Sequence, residues 1–290
     1  MKKLSVVLCV RNEEKNLDDC LKSVNNLADE IVVVDEKSSD SSVKIAQKYG
    51  AKIIEVEHRA NFHINKQKAI DAASCDWILQ LDADERVTEK LADEIKGVIN
   101  MDYQKLLKRK PLSEKQSSLF ERHRRLIEKR EGELGMPSGE IVAFFIPRLN
   151  YFLNKPLRNA GLYPDGVIRL VKRGKARLPG KSVHELMQVD GEIAWLFNDL
   201  EHHDSPTFER YLNRANRYTD LTAEEYKADK LPLSYWNLFY FSFVKPIVFF
   251  LKLFVIHRGY RDGMRGFIWS VFSALHYPIS YFKYWQGEKS

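Results

Sequence analysis

Trp77-Ile78-Leu79-Gln80-Leu81-Asp82-Ala83-Asp84-Glu85 decides the reading of this chain. Five residues of buried-strand character run straight into three acids within four positions. Upstream, Ser5–Val10, Ile31–Val34 and Lys52–Val56 have the same near-continuous apolar character. Between them, Leu17, Cys20, Leu21 and Val24 recur at helical spacing. Ser41–Tyr49 reads as a helix ended by Gly50, and a further helix is expected around Ile64–Ala73. This alternation, with strands apolar on both faces, predicts a parallel sheet covered by helices. Ligands of such sheets bind outside the carboxyl ends of the strands, where the three acids fall.

Three carboxylates so close together repel one another, and something must relieve that repulsion. A divalent cation does so when it bridges diphosphate oxygens, since Mg²⁺ typically takes one or two carboxylates plus substrate phosphates. The alternative is a cap, with Asp84 or Glu85 closing the start of the next helix. The second strand also ends in an acid, Asp35, placed where a carboxylate can accept a hydrogen bond from a base or ribose. The first ends in Val10-Arg11-Asn12-Glu13-Glu14. Three strand ends thus present polar side chains to one edge of the sheet.

The chain has 290 residues, 44% hydrophobic and 30% charged, which suits a globular protein with a substantial core and excludes both a disordered chain and a mini-scaffold. Cys9, Cys20 and Cys75 show neither zinc-ligand nor disulfide spacing, so a reducing, cytosolic setting is expected. Met1–Asn12 resembles the basic and apolar regions of a signal peptide. Charge returns at once and no small-residue cleavage site follows, so the stretch reads as a first buried strand. The net charge of +6 is concentrated: residues 101–185 carry 19 Lys/Arg against 9 Asp/Glu, whereas residues 186–290 carry 12 of each. Such a block suits an anionic partner. Its pattern over Val87–Arg130, with Glu121, Arg125 and Glu128 at helical pair spacing, reads as a solvated helix. Its basic runs lack interleaved aromatics, so no nucleic-acid partner is expected.

Beyond His203 the character changes. Residues 206–230 are polar and helical, while 235–256 and 267–285 are apolar and aromatic. The first apolar stretch is long enough to span a bilayer, but Lys245, Lys252 and Pro246 interrupt it. Lys245 and Lys252, seven apart, are expected on one face with Ser242. An amphipathic segment lying in the plane of a membrane is the favoured reading, and packing on the domain or on a second subunit the alternative.

Taken together, Ser-Val-Val-Leu from Ser5, Arg11-Asn12-Glu13-Glu14, Ile31-Val32-Val33-Val34-Asp35, Ser38-Ser39-Asp40 and Leu81-Asp82-Ala83-Asp84-Glu85 resemble the inverting family-2 glycosyltransferases of the GT-A fold. Val183-His184-Glu185 and Gly259–Gly266 extend the resemblance to the lipopolysaccharide-core β-glucosyltransferase-like branch. The resemblance implies that Asn12 and Glu13 line the nucleotide pocket, Asp35 reads the base, and Lys66 lies near the diphosphate. It further implies that Asp82 approaches the ribose and metal and that Asp84 is the principal ligand of Mg²⁺ or Mn²⁺. Gln67 stands where an Asn is usual, and Glu36-Lys37 replace the usual small pair after the base-reading Asp.

His184-Glu185 begins an HExxH pattern that fails at Gln188. Glu185 instead is the candidate general base for an acceptor hydroxyl, with Asp165 the next acid in line. His202, in the pair His202-His203, is a further candidate metal contact. The expected architecture is therefore α/β: a GT-A-like nucleotide-sugar-binding domain over 1–205 with a mostly parallel sheet and a basic helical insertion near 103–137, then C-terminal amphipathic helices over 206–290. The expected reaction is inverting sugar transfer from a nucleotide-diphosphate donor, a UDP-sugar by preference, to a lipid-linked saccharide. The enzyme would be cytoplasmic and peripheral on the inner face of the cytoplasmic membrane. The rivals are transfer to a peptide, a sugar nucleotidyltransferase, which would want a glycine-rich phosphate loop where Arg11–Glu14 has none, and a nucleic-acid-binding protein.

Overall fold

The computed structural model describes residues 1–132, 134–180 and 186–287. Its elements in chain order begin with β1 (Leu4–Val10), α1 (Glu14–Val24), β2 (Glu30–Asp35), α2 (Ser42–Lys48), β3 (Lys52–Glu55), α3 (Phe62–Asp71), β4 (Trp77–Leu81), β5 (Glu85–Val87) and α4 (Glu89–Ile99). They continue with α5 (Tyr103–Leu107), α6 (Glu114–Glu131), β6 (Ile141–Phe152), β7 (Lys155–Pro156), β8 (Asp165–Lys172), β9 (Ala176–Arg177), β10 (Gln188–Val189), β11 (Glu192–Trp195) and β12 (Leu200–Ser205). The C-terminal helices are α7 (Phe208–Ala228), α8 (Tyr235–Phe239), α9 (Lys245–Leu251) and α10 (Gly263–Gly287).

Two compact units result. The first comprises Met1–Arg148 and Pro164–His202, the second Leu149–Tyr163 and His203–Ser290. Residues 149–163, expected within the sheet domain, thus fold with the C-terminal helices.

In the first unit the sheet runs β3-β2-β1-β4-β8-β6-β12-β5. The expected parallel half is present: β1 pairs in parallel with β2 and β4, and β2 with β3. Beyond β4 the direction reverses, because β8 pairs antiparallel with both β4 and β6. The alternation of side chains along β1 divides the core. Leu4, Val6, Leu8 and Val10 pack with Leu17, Leu21 and Val24 of α1 and Leu91 and Ile95 of α4. Val7 faces the other way, with Val32, Val34 and the α3 residues Ala69 and Ile70. Each fully buried Leu or Val contributes about 1.5–3 kcal/mol, which fixes the strand register that sets the site.

The basic helix α6 is anchored by aromatic packing. Phe120 stacks on Trp195 at 4.1 Å and Trp195 on Phe145 at 4.8 Å. The Trp195 ring lies so close to β8 that a Cβ at Gly166 would meet it at 2.3 Å, so this position has room for no side chain.

The second unit is helical and aromatic. Phe152, Leu157 and Tyr211 form one small core with Trp269 and Phe272, and Phe241, Tyr281 and Tyr284 another with Tyr226 and Tyr277. The apolar run from Tyr235 is helical to Ile256, but π-helical turns occupy Tyr240–Val244 and Lys252–Ile256. Their wider turns rotate the later residues relative to a regular 3.6 spacing. Between Lys245 and Lys252, however, α9 keeps the regular period, so the two stay on one side of the helix and differ in burial. Lys252 is exposed, while Lys245 is partly buried with its ammonium 4.5 Å from the Phe241 ring centre and 4.4 Å from that of Tyr277.

Candidate active site

The carboxyl ends of β1, β2 and β4 lie side by side in the first unit, and the turns that leave β1 and β2 are bonded to each other. Asn12 adopts φ 55°, its amide donates to Ser38 Oγ at 2.9 Å, and its Oδ1 accepts from the Ser39 amide at 2.8 Å. The Glu13 amide donates to Ser42 Oγ at 2.8 Å, and its carboxylate accepts from Asn16 Nδ2 at 2.8 Å. Both residues thus shape the turn that joins the ends of β1 and β2. Asp35 is buried at 2% exposure. Its Oδ2 accepts from the Ser38 amide at 2.9 Å, while Oδ1 is buried with no hydrogen-bond partner among the described residues. A buried acceptor left open costs about 1–3 kcal/mol, so Asp35 is built to receive a donor.

Beside it, Glu36 is also buried and accepts from Asn65 Nδ2 at 2.7 Å and His58 Nδ1 at 2.6 Å. The large acid at a position where a small residue was expected is thereby used to tie the segment before α3 to the sheet. Its charge also acts on Cys9: burial and the Glu36 carboxylate push that thiol up to about 12.

At the end of β4 the three acids have three different environments. Asp82 is ion-paired twice, to Lys66 through Oδ1 and to Arg169 Nη2 through Oδ2 at 2.5 Å. Burial alone would raise its carboxyl, but Arg169 and Lys66 outweigh it and hold the group well below the usual carboxylate range. Glu85 is fully buried. One of its oxygens accepts from the Asp82 amide at 2.9 Å, and the other faces Arg169 at 2.9 Å and Arg148 at 3.4 Å. Arg148 also grips Asp165, at 2.6 Å from Nη2 and 3.0 Å from Nε. Burial lowers both arginines, yet the facing carboxylates win and raise them above their ordinary values.

Asp84 stands apart. Its carboxylate lies 3.6 Å from His202 Nε2, on β12, and no Lys or Arg pairs with it among the described residues. Burial pushes its carboxyl up, and the hydrogen bond and charge of His202 pull it further down, to a net value below the ordinary range. A carboxylate and an imidazole side by side, with no lysine or arginine paired to the carboxylate, are a donor set that suits Mn²⁺ or Mg²⁺. His203, next along β12, is instead stacked on Tyr151 at 4.2 Å.

The structure thus brings Lys66, Asp82, Asp84 and His202 together at one end of the sheet, with Asn12, Glu13 and Asp35 on the neighbouring strand ends. Glu185, the candidate base, lies outside the described residues. Asp165 is described, and its Oδ2 accepts from both Nε and Nη2 of Arg148. Sequence reasoning missed Arg169, Arg148 and Gln80. A signal was present: Gln80 and Arg169 are single polar residues inside apolar strands, and β4 and β8 are neighbours, where the Gln80 amide oxygen accepts from Arg169.

Residues 5–103, which hold the parallel strands and the acids of β4, match the sequence profile of Glycosyl transferase family 2. This stretch is a family 2 glycosyltransferase domain. An uncharacterized glycosyltransferase of Rickettsia typhi is 28% identical to this chain over 280 residues, covering 94% of this chain and 84% of the relative. The lipopolysaccharide core biosynthesis glycosyltransferase LpsC of Rhizobium meliloti is 26% identical over 295 residues, covering 98% and 92%. Among solved structures, glucosyl-3-phosphoglycerate synthase from Mycobacterium tuberculosis with phosphoglyceric acid aligns with a TM-score of 0.43 at 16% identity, over 80% of this chain and 82% of that one.

Proposed function

We propose that the transferase moves a sugar, with inversion, from a nucleotide-diphosphate donor to a lipid-linked saccharide of the cell envelope, of the kind found in the lipopolysaccharide core. The observation that carries this reading is the contrast at the end of β4. Asp82 and Glu85 are neutralised by arginines and a lysine, whereas Asp84 pairs with no lysine or arginine among the described residues, lies beside His202 and suits a divalent cation. Asp84 and His202 would hold Mn²⁺ or Mg²⁺, which when bound would offset charge on a departing diphosphate. Asp35, with one carboxylate oxygen open, fits the imide N–H of a uracil base, which favours a UDP-sugar. Lys66 reaches the same site and adds positive charge where the diphosphate would lie.

Glu185 remains the proposed base. Its carboxylate would take the proton of the acceptor hydroxyl as that oxygen attacks C1 from the face opposite the diphosphate. The C1–O bond to the phosphate then breaks, and its electron pair leaves with the nucleoside diphosphate.

The lipid-linked acceptor is supported by the resemblance to LpsC over nearly the whole chain and by the C-terminal helices. Tyr235–Ile256 is long and apolar enough to cross a membrane and is little buried. With Lys245 set against two rings, Trp236, Phe239, Phe243, Ile247 and Val255 form an apolar exposed surface that suits the inner leaflet of the cytoplasmic membrane. The test is nucleoside diphosphate release across UDP-, GDP- and other sugar donors, with product mass spectrometry. Release from UDP-sugars onto a lipid-linked saccharide, abolished in Asp84→Asn, is expected; a glycosylated peptide as the only product, or full activity of folded Asp84→Asn, would overturn it.

A further inference from the structure

The ionisable groups around β4 form a chain of alternating sign: Lys66, Asp82, Arg169, Glu85, Arg148, Asp165. Three cations face three anions, so the chain is neutral as a whole, and Asp84 is the one carboxylate of the acid cluster left outside it. Arg169 is the hinge of this arrangement. It is 8% exposed, a single Nη2 reaches both Asp82 and Glu85, and its Nη1 donates to Gln80. Both oxygens of Asp82 are engaged by cations, and the Asp82 amide is fixed by Glu85.

We propose that Arg169 is a positioning residue: it holds Asp82 as a fixed internal counter-ion, so that the site takes one divalent cation and takes it at Asp84. This rests on the reading of Asp84 as the cation-binding carboxylate. Without Arg169, Asp82 would regain an open oxygen two residues from Asp84, and the site would gain a full negative charge. Divalent cations would then bind more tightly but between the wrong pair of carboxylates, and turnover would fall. A residue that merely supported the fold would lower metal binding and activity together.

The probe is Mn²⁺ titrated into the full-length protein without nucleotide and followed by electron paramagnetic resonance. An added unit charge within a few ångströms predicts Mn²⁺ binding about three- to tenfold tighter in Arg169→Met and in Lys66→Met, which frees the other oxygen of Asp82. Arg169→Lys, which keeps the charge, should stay within about twofold of wild type. Asp82→Asn placed in the Arg169→Met background should bring the affinity back. Turnover in Arg169→Met should be lower by about tenfold or more, against its tighter Mn²⁺. Unchanged or weaker Mn²⁺ binding in both Arg169→Met and Lys66→Met overturns the proposal, and Lys66→Met alone decides it if Arg169→Met does not fold. Asp84→Asn separates the two levels. Loss of Mn²⁺ there with no tightening in the other variants leaves Asp84 as the ligand and removes the role of Arg169; Mn²⁺ binding retained in Asp84→Asn removes the reading beneath it.

Discussion

Around β4 and β8, Glu85 is fully buried and Arg169 nearly so, whereas along the run from Tyr235 the ring of Tyr235 is 93% exposed and that of Trp236 68%. One unit turns charges inward and the other turns aromatic rings outward, and both reverse the usual sorting of side chains. Around β4 and β8 the first reversal is resolved within the chain, since Glu85 faces Arg169 and Arg148, and Arg169 faces Asp82. The second is not, since Tyr235 and Trp236 stay exposed while other rings of that unit, such as Phe241 and Tyr281, are buried. A site resolved internally is poised for a small ligand. The surface left apolar is where the proposed membrane contact would fall.

The largest effect is expected at the proposed general base. Glu185→Gln should lower kcat by about 10²–10⁴ while donor KM barely moves, measured by steady-state release of nucleoside diphosphate. An unchanged kcat would move the proton acceptor elsewhere. Next in size is the cost of opening the buried network. Asp82→Asn leaves Arg169 and Lys66 facing an amide and should destabilise the protein by about 3–5 kcal/mol in urea unfolding. Because the folded-state pKa of Asp82 is depressed, its stabilisation is complete above the unfolded-state value near 4 and vanishes as pH falls through the lower folded value. Melting curves of wild type and Asp82→Asn should therefore converge in acid; a gap that stays constant with pH would show that the charge of Asp82 is not what stabilises. The smallest effect belongs to the outward rings. Phe239, Phe243 and Ile247 changed together to Asn should leave the unfolding transition nearly in place yet weaken flotation with anionic liposomes by about tenfold. Equal flotation would assign the surface to packing or dimerisation.

The parallel half of the fold was legible because its strands are apolar on both faces and its helices are spaced between them, so β1 to β4 could be read from local pattern alone. The candidate metal ligand was legible for the same reason, as acids at a strand's carboxyl end. The partners of those acids were not. Arg169 lies 87 positions from Asp82 and meets it only through the antiparallel pairing of β8 with β4, which no local pattern reveals. Lys245 was assigned to the wrong surroundings for a different reason. The Tyr277 ring it meets belongs to α10, a contact that the pattern along Tyr235–Ile256 does not reveal.

The two turns at the ends of β1 and β2 carry a kinetic consequence. Asn12 and Lys37 both hold left-handed backbone, at φ 55° and 54°, a conformation that costs about 1 kcal/mol or more outside glycine. The turns keep it because they are laced to each other: Ser38 and Ser39 to Asn12, Ser41 to Glu14, Ser42 to Glu13. The rim assigned to the nucleotide in the proposed function is thus set during folding. Its amide protons should exchange slowly with solvent for surface loops, and donor association should proceed in one step, without a protein-side ordering phase to slow it.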